Sequence, residues 1–354
     1  MSEIPLELIA DILSRLLVKP LLQFRCVSKS WCALIDSPHF IKSHLNQSIK
    51  TNTNRMLILS DFDLFSVDLD SPNDDELELD HPLKNQEDTI VIGSCDGLLC
   101  LRKSPTDIAL WNPSTKKHHK LPVTPIEFSR DRWSCDDTRY GFGYDSVSDD
   151  YKVVRITVYS SEDDVGSFDL FDSEVKVYSL KLNTWRRIQA FPYYLLYSWR
   201  NATFANGALH WAVWETDQVS IAAFDLGVEE YRLVPRPDYS NKMFEMDVGV
   251  LEGWLCVICH SSSICDLWVM KEYGVKESWT RLFSVSPLEI NISPFSIARP
   301  LAFSRSGVEV ILLQDAQKFV WYDLKMKTIT KEIKVDWEKI EGVFIYFGSL
   351  VPLP

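Results

Sequence analysis

The sequence has no long uncharged run of apolar residues and no basic segment ahead of its first apolar residues. About 20 such residues are needed to cross a membrane as a helix, and no stretch of this 354-residue chain approaches that length. The first residues, MSEIPLELIADIL, carry acids where a secretory signal peptide carries lysine or arginine. We therefore expect neither membrane insertion nor a signal peptide, and we predict a cytoplasmic or nuclear location, or both.

Positive charge is also scarce. Lys and Arg number 37 against 50 Asp and Glu, which gives a formal net charge of −13. An acidic chain repels the phosphates of nucleic acid, so we exclude nucleic acid as a partner. Eleven acids stand against one lysine at residues 61–88, and a second acidic string lies at residues 160–174. Both strings are typical of solvated loops, and the other interpretation is a surface that binds basic regions of a substrate.

A second pair of metal ligands is missing as well. The string CVIC gives Cys256 and Cys259 the spacing of zinc ligands, but no other C-x-x-C motif is present. The surrounding GWLCVICH alternates like a strand, on which residues three apart point to opposite faces. We therefore expect no metal site and no cofactor, and we interpret the eight cysteines as reduced thiols. His118 and His119 adjoin lysines at a strand end, which is typical of a solvated hairpin.

The string GSCDGLLCL (93–101) resembles a nucleophile elbow in which Cys95 replaces serine. An elbow leads into a helix, whereas here an apolar strand, GLLCLR, follows the turn pair Asp96-Gly97. The string also begins like the S-x-D-x-G-x-T-W hairpin of sialidases, but Gly97 comes one position early and Leu101 replaces the aromatic residue. We expect a buried Cys95 at a structural turn, and no catalytic residue.

The first fifty residues have helical spacing. One apolar stripe comprises Leu8, Ile9, Ile12, Leu13 and Leu16. Pro5 suits the first turn of this helix, Pro20 is predicted to open a second helix, and Ser28 can cap a third. A short fourth helix is predicted after Pro38. So much apolar surface on short helices either binds a partner or packs onto the rest of the chain, and spacing does not decide between the two.

This segment resembles the F-box. The agreement lies in Ile4-Pro5, in ILSRL at 12–16, in LLQFRCVSKSW at 21–31 and in LIDSPHFIKSHL at 34–45. Two positions depart from the family, since Leu17 stands where proline is usual and Pro20 where serine is usual. An F-box at residues 1–48 implies docking on the Skp-type adaptor of a cullin–RING ubiquitin ligase.

The resemblance also implies which residues face the adaptor. They are Pro5, Leu8, Ile9, Ile12, Leu16, Leu22, Val27 and Trp31. Aliphatic and aromatic side chains of this kind suit the dry centre of a protein interface. Some of them must instead hold the helices together, and the resemblance does not sort the two groups.

After about residue 48, short alternating apolar strings broken by turn residues predict an all-β domain. An aromatic-rich strand, a turn and a more polar strand recur from residues 63, 110, 176, 221, 266 and 318. Spacings of 45–66 residues predict a β-propeller of about six blades, whose closure protects strand edges. The longest spacing contains residues 160–174, interpreted as a loop insertion. Closure pairs residues 55–60 with 343–351, which places the propeller-like domain at 55–352.

The β-rich part resembles the plant F-box-associated domain of type 1. The matching strings are SCDGLLCL, LWNPSTKKHHKLP and GFGYDSVSDDYKVVRI, in the order of the family. Within the family, the chain is most similar to the constitutive expresser of pathogenesis-related genes type. The resemblance implies the substrate-recognition subunit of an SCF-type (Skp–cullin–F-box) ubiquitin ligase. It further implies that the chain directs immune receptors or other regulators to degradation and so restrains defence.

The twelve tryptophans are the main candidates for substrate contacts. We expect most of them to pack between blades. Trp133, Trp199 and Trp214 lie in less regular strings and are the candidates for anchoring a substrate. Two further hypotheses stay open: an F-box scaffold that acts outside a ligase, and a ligand-binding or enzymatic propeller with a helical cap.

Overall fold

Four α-helices, one 3₁₀ helix (Lys276–Ser278) and 25 strands make up the regular structure of the described residues. The computed structural model describes residues 5–60, 63–69, 77–84, 89–127, 133–161, 171–196, 201–215, 218–239, 245–261, 265–285, 298–334 and 342–354. None of the described helices is long and apolar enough to span a membrane. The chain divides into two compact units, one of Met1–Leu121 with Glu341–Pro354 and the other of Pro122–Ile340.

The helices occupy the N-terminal end, as the apolar spacing predicts. They are α1 (Leu6–Leu13), α2 (Val18–Phe24), α3 (Lys29–Ile35) and α4 (Pro38–Thr51). Ser28 caps α3, since its hydroxyl accepts a hydrogen bond from the Trp31 N–H at 3.2 Å. Leu13, Leu21 and Ile35 are at most 1% exposed and form the centre of the small helical core.

Two predictions about these helices are wrong. Helix α2 begins at Val18, so Pro20 does not open it but occupies the third position. Proline is tolerated there because the first turn of a helix has no intrahelical partner for its N–H groups. The fourth helix is not short, since α4 has 14 residues and passes the predicted domain boundary at residue 48. It ends where Asn52 adopts a left-handed conformation with φ of 51°.

The strands form six antiparallel sheets, the blades of a six-bladed β-propeller, which confirms the predicted fold class and blade number. Blade 1 contains β1 (Arg55–Ser60), β2 (Leu64–Asp68), β3 (Leu77–Glu78) and the last strand of the chain, β25 (Gly342–Phe347). Blade 2 contains β4 (Ile90–Cys95), β5 (Leu98–Ser104), β6 (Asp107–Asn112) and β7 (Lys117–Lys120). Blade 3 contains β8 (Trp133–Asp145), β9 (Asp150–Ser161), β10 (Phe171–Ser179) and β11 (Thr184–Ile188).

The other three blades follow the same plan. Blade 4 contains β12 (Tyr194–Leu195), β13 (Thr203–Ala205), β14 (Ala208–Glu215), β15 (Gln218–Asp225) and β16 (Tyr231–Val234). Blade 5 contains β17 (Glu245–Leu251), β18 (Trp254–His260), β19 (Cys265–Met270) and β20 (Trp279–Val285). Blade 6 contains β21 (Ala298–Phe303), β22 (Glu309–Gln314), β23 (Lys318–Asp323) and β24 (Thr328–Lys334).

The predicted closure and the predicted repeat are both confirmed. Strand β25 pairs with β1, with Phe347 opposite Arg55 and Gly342 opposite Ser60. The recurring aromatic-rich and polar strands are the last two strands of each blade, such as β6 and β7. Neighbouring blades bury apolar side chains between them, blades 1 and 2 in one unit and blades 3 to 6 in the other. Leu209 and Trp211 of blade 4, for example, share a core with Ile156 of blade 3.

The predicted loop insertion at residues 160–174 is wrong at both of its ends. Strands β9 and β10 extend into it, and Phe171 pairs with Ser160. Asp172 and Glu174 of the acidic string therefore lie in β10, where Glu174 pairs with Arg155. Residues 162–170 lie outside the described residues.

Blade 3 also contains a buried ion pair. Arg155 and Glu174 are 0% and 1% exposed and approach to 3.1 Å. The guanidinium donates to the carbonyls of Thr124 at 3.0 Å and Pro125 at 2.8 Å. Glu174 in turn accepts from the Glu127 N–H at 2.9 Å. The pair therefore holds the segment that precedes the blade.

Replacing Arg155 by methionine should lower the free energy of unfolding by about 3 kcal/mol, because Glu174 would be left buried without its main partner. Arg186→Met is the matched control, since Arg186 pairs with Glu229 at the surface and is 50% exposed. We expect the control to change stability by about 1 kcal/mol or less. Urea unfolding followed by tryptophan fluorescence measures both variants, and equal losses would contradict the account.

Candidate functional site

Residues 6–27 of the helical domain leave five large apolar side chains in solvent, and Ile49 near the end of α4 is a sixth in that domain, 42% exposed. Helix α1 exposes Leu6 by 48%, Leu8 by 56% and Ile12 by 58%, and Leu17 and Val27 outside the helices are 57% and 60% exposed. The other exposed large apolar side chains of the described residues are scattered over residues 49–326. A concentration of exposed apolar residues marks an interaction surface. We call these five residues the apolar set.

The eight residues predicted to face an adaptor all lie outside the helical core. The exposed ones are Pro5, Leu8, Ile12 and Val27, and the half-buried ones are Ile9, Leu16, Leu22 and Trp31. Exposure thus divides the eight residues into an exposed and a half-buried group, a division that the sequence could not make. The adaptor-facing role of both groups stays a prediction. Leu6 and Leu17 were missed, although Leu17 is one of the two departures from the family pattern.

Local contacts fix the half-buried members. The Trp31 ring meets Phe24 edge to face, with centroids 5.8 Å apart. Arg25 binds Asp36 at 2.8 Å and joins the end of α2 to the end of α3. The hydrogen bond that Arg25 donates to Asp36 raises the pKa of Arg25 above its ordinary value. Trp31 is therefore oriented before any partner arrives, which lowers the entropy that binding must overcome.

The connection between α1 and α2 is held by His44 of α4. Its Nε2 lies 2.8 Å from the Leu16 carbonyl oxygen, and His44 is fully buried. Burial lowers the pKa of His44 below its ordinary value, and the hydrogen bond to Leu16 opposes this only in part. The neutral ring donates its Nε2 proton to the carbonyl. This contact fixes the backbone immediately before Leu17 of the apolar set.

Of the three tryptophans proposed as substrate anchors, the structure describes only the Trp214 side chain, so the shared role stays a prediction. Trp214 is half-buried in β14, opposite Val219, and packs on the core between blades 4 and 5. Trp133 is the first residue of β8, but its side chain lies outside the described part of the structure. Trp199 lies outside the described residues altogether. The prediction that Trp133 and Trp214 lie in irregular segments is wrong, because both belong to paired strands.

Most other tryptophans pack inside the propeller, as expected. Trp111, Trp211, Trp279 and Trp321 are between 3% and 8% exposed. The Trp279 Nε1 also donates a hydrogen bond to the Pro235 carbonyl at 2.7 Å. These four tryptophans are therefore part of the propeller core.

Cys95 is buried at the end of β4, opposite Leu98 of β5. Asp96 and Gly97 between them have φ angles of 52° and 77°, the conformation of a two-residue hairpin turn. The predicted hairpin is confirmed. No helix follows the turn, so the geometry of a nucleophile elbow is missing at Cys95.

Cys256 and Cys259 point to opposite faces of β18, as their spacing predicts. Cys256 packs in the core between blades 5 and 6, and Cys259 in the core between blades 4 and 5. Burial raises the pKa of Cys256 to about 12, so this thiol keeps its proton and is a poor metal ligand. Among the described residues, no group of three or more His, Cys, Asp or Glu side chains is placed to hold a metal ion.

The acidic string at 61–88 falls only partly on residues that the structure describes. Asp63 precedes β2, Asp68 is its last residue, and Glu78 lies in β3, where Lys84 pairs with it. His118 and His119 lie in β7, the outer strand of blade 2, with His118 exposed. The expected solvated hairpin is confirmed for this pair.

Two family models cover nearly the whole chain. Residues 1–43 match the F-box domain, and residues 54–342 match the F-box associated beta propeller domain. The chain belongs to the F-box proteins that carry an F-box-associated β-propeller. The four helices are therefore an F-box, and the six blades are the associated domain.

Relatives in Arabidopsis thaliana share this organisation over most of their length. F-box protein CPR1 is 40% identical over 93% of this chain and 84% of its own length. F-box protein At4g22390 is 35% identical over 93% and 86%, respectively. F-box/kelch-repeat protein At3g23880 is 31% identical over 83% of each chain. The F-box and the propeller therefore occur together in this family.

The buried His44 predicts a pH dependence of F-box stability. The unfolded chain protonates this imidazole near pH 6.5, whereas the folded domain keeps it neutral to lower pH. The His44 contribution is therefore complete above pH 6.5 and falls as the pH drops below it. Unfolding free energies at pH 6.5 and about pH 5, followed by circular dichroism, should show a smaller loss in His44→Gln. Equal losses in the wild type and the variant would contradict this assignment.

Proposed function

We propose that this chain is the substrate-recognition subunit of an SCF-type ubiquitin ligase, with its F-box docked on a Skp-type adaptor that leads to cullin and RING subunits. The observation that carries the proposal is the apolar set on an F-box domain. Its members face water in the isolated chain, although the domain has a separate core of Leu13, Leu21 and Ile35. Covering the set with an adaptor removes apolar surface from water.

The physical basis of docking is burial of a few aliphatic and aromatic side chains. Each large aliphatic side chain contributes about 1.5–3 kcal/mol when it is moved from water to an apolar interface. Leu8 and Ile12 lie one helical turn apart on α1 and so present a common face. Trp31, already held against Phe24, adds an aromatic anchor. A small number of such contacts is enough for a stable complex.

The chain acts by proximity and supplies no catalytic group. Transfer of ubiquitin is carried out by the conjugating enzyme that the RING subunit recruits. The F-box fixes one end of the assembly and the propeller binds a protein substrate at the other. Substrate lysines are thereby held at a high effective concentration near the ubiquitin thioester.

The proposed substrates are intracellular immune receptors or other regulators, and their degradation restrains defence. The similarity to F-box protein CPR1 along both domains supports this choice. We further propose that the protein works in the cytoplasm, the nucleus or both. The seven cysteines whose side chains the structure describes are free thiols.

Charge substitutions in the apolar set test adaptor docking. Leu8→Asp combined with Val27→Asp should weaken the binding of a purified Skp-type adaptor by at least about tenfold, because the interface would bury two unpaired carboxylates. Val147→Asp is the matched control, since Val147 is 80% exposed in a turn of blade 3. Binding is measured by biolayer interferometry, with circular dichroism to confirm folding. Unchanged affinity in the double variant would reject the docking surface.

The same double variant tests the choice of substrate. A chain that binds substrate but not adaptor should protect its substrate, so intracellular immune receptors should accumulate and co-purify with it more than with the wild type. Quantitative mass spectrometry of affinity-purified material measures the ratio. Enrichment of other proteins without any immune receptor would keep the ligase role and reject this substrate class.

A further inference from the structure

Four blades use one device to stabilise the turn before their last strand. The side chain that ends the strand accepts hydrogen bonds from N–H groups two or three residues further along. The capping residues are Asn112, Ser179, Asp225 and Asp323. Asp323, for example, accepts from the N–H groups of Lys325 at 2.8 Å and Met326 at 2.7 Å. The turn needs only an acceptor, and aspartate or serine provides one.

Blade 2 uses asparagine at this position, and the turn alone does not account for it. The Asn112 Oδ1 atom caps the turn, accepting from Ser114 N–H at 3.0 Å and Thr115 N–H at 3.3 Å. Its Nδ2 donates to two carbonyls of the C-terminal segment, Ser349 at 3.1 Å and Val351 at 2.9 Å. Asn112 is fully buried. Only an amide can cap the turn and also donate to both carbonyls.

The C-terminal segment is also seated on the hairpin of Cys95. A Cβ atom placed on Gly97 would lie 2.3 Å from Ser349 Oγ and 2.5 Å from the Phe347 carbonyl oxygen. The turn therefore needs glycine for this close approach as well as for its positive φ angle. Leu350 and Leu353, further along, are 7% and 8% exposed. The last residues of the chain are thus packed against blade 2.

The other end of the same segment is tied to the F-box. The Gly348 N–H donates to the Asn54 carbonyl at 2.9 Å. The Asn54 side chain donates to Ser48 of α4 at 2.9 Å. A Cβ atom placed on Gly348 would lie 3.5 Å from Val18 Cγ2 of α2. Gly348 therefore touches both the helices and the short connection that joins them to β1.

We propose that residues 348–354 form a strap that fixes the F-box helices against blades 1 and 2, with Asn112 as its anchor. Without the strap, residues 52–54 would be the main covalent connection that sets the F-box orientation. In the ligase, and so resting on the proposed function, this fixed orientation determines which substrate lysines reach the ubiquitin thioester. Asn112 is a positioning residue in this role.

The test compares Asn112→Asp with Asp323→Asn in the full-length chain. Asn112→Asp keeps the acceptor that the turn needs but sets a carboxylate oxygen against the strap carbonyls. Asp323→Asn makes the reverse change at the equivalent turn of blade 6 and keeps that turn's acceptor. Nitroxides are attached through non-natural ketone amino acids at Lys29 of α3 and Lys117 of β7, both exposed. Pulsed electron spin resonance then measures the distance between the F-box and blade 2.

The wild type and Asp323→Asn should each give one narrow distance distribution, and Asn112→Asp a broad one. Hydrogen exchange at residues 348–351 should also be about tenfold faster in Asn112→Asp, because the strap loses two hydrogen bonds. A chain that ends at Gly348 is the second variant, and it should also give a broad distribution. Narrow distributions in both strap variants would overturn the proposal.

Adaptor affinity measured on the same proteins separates the strap from the ligase role. The strap variants leave the apolar set untouched, so their affinity for a purified Skp-type adaptor should stay within about twofold of the wild type, inside the usual scatter for distant sites. A wild type that fails to bind the adaptor would reject the proposed function but not the strap. Narrow distances together with normal adaptor binding would reject the strap alone.

Discussion

The pairing of β25 with β1 is the contact on which the remaining structure depends. Blade 1 lacks its first strand until the last residues of the chain provide it. Because β1 begins only three residues after the end of α4, this pairing also brings the C-terminal segment to the F-box. One backbone ladder, from Arg55–Phe347 to Ser60–Gly342, therefore completes a blade and delivers the proposed strap. The F-box and the propeller are joined by both ends of the chain.

The propeller and the F-box differ in how much of their apolar surface they bury. Adjacent blades of one unit pack face to face, so residues such as Ile156 and Leu267 are fully buried. The F-box has too few residues to enclose all of its apolar side chains, since short helices bury little area. It keeps a core around Leu21 and leaves Leu8 and Val27 exposed. That imbalance is what a partner corrects, and it is the physical basis of the proposed adaptor docking.

Features set by neighbours in the chain were predictable from the sequence. Alternating apolar strings with turn residues predicted the six blades and their closure, and Ser28 predicted the start of α3. Features set by tertiary contacts were not. Pro20 indicated the start of a helix, but α2 begins two residues earlier, because the first turn of a helix accepts proline. Trp214 was assigned to a less regular segment, although it lies in β14. The role of Asn112 was not predicted from the sequence, because its two acceptors lie more than 230 positions away.

The central claim is that an intact, folded chain uses the exposed apolar face of its F-box to bind a Skp-type adaptor. Calorimetric titration of the full-length protein with purified adaptor at several temperatures tests it most directly. The account predicts one-to-one binding with a negative heat-capacity change, because apolar surface leaves water. Absence of binding, or binding with a heat-capacity change near zero, would contradict it.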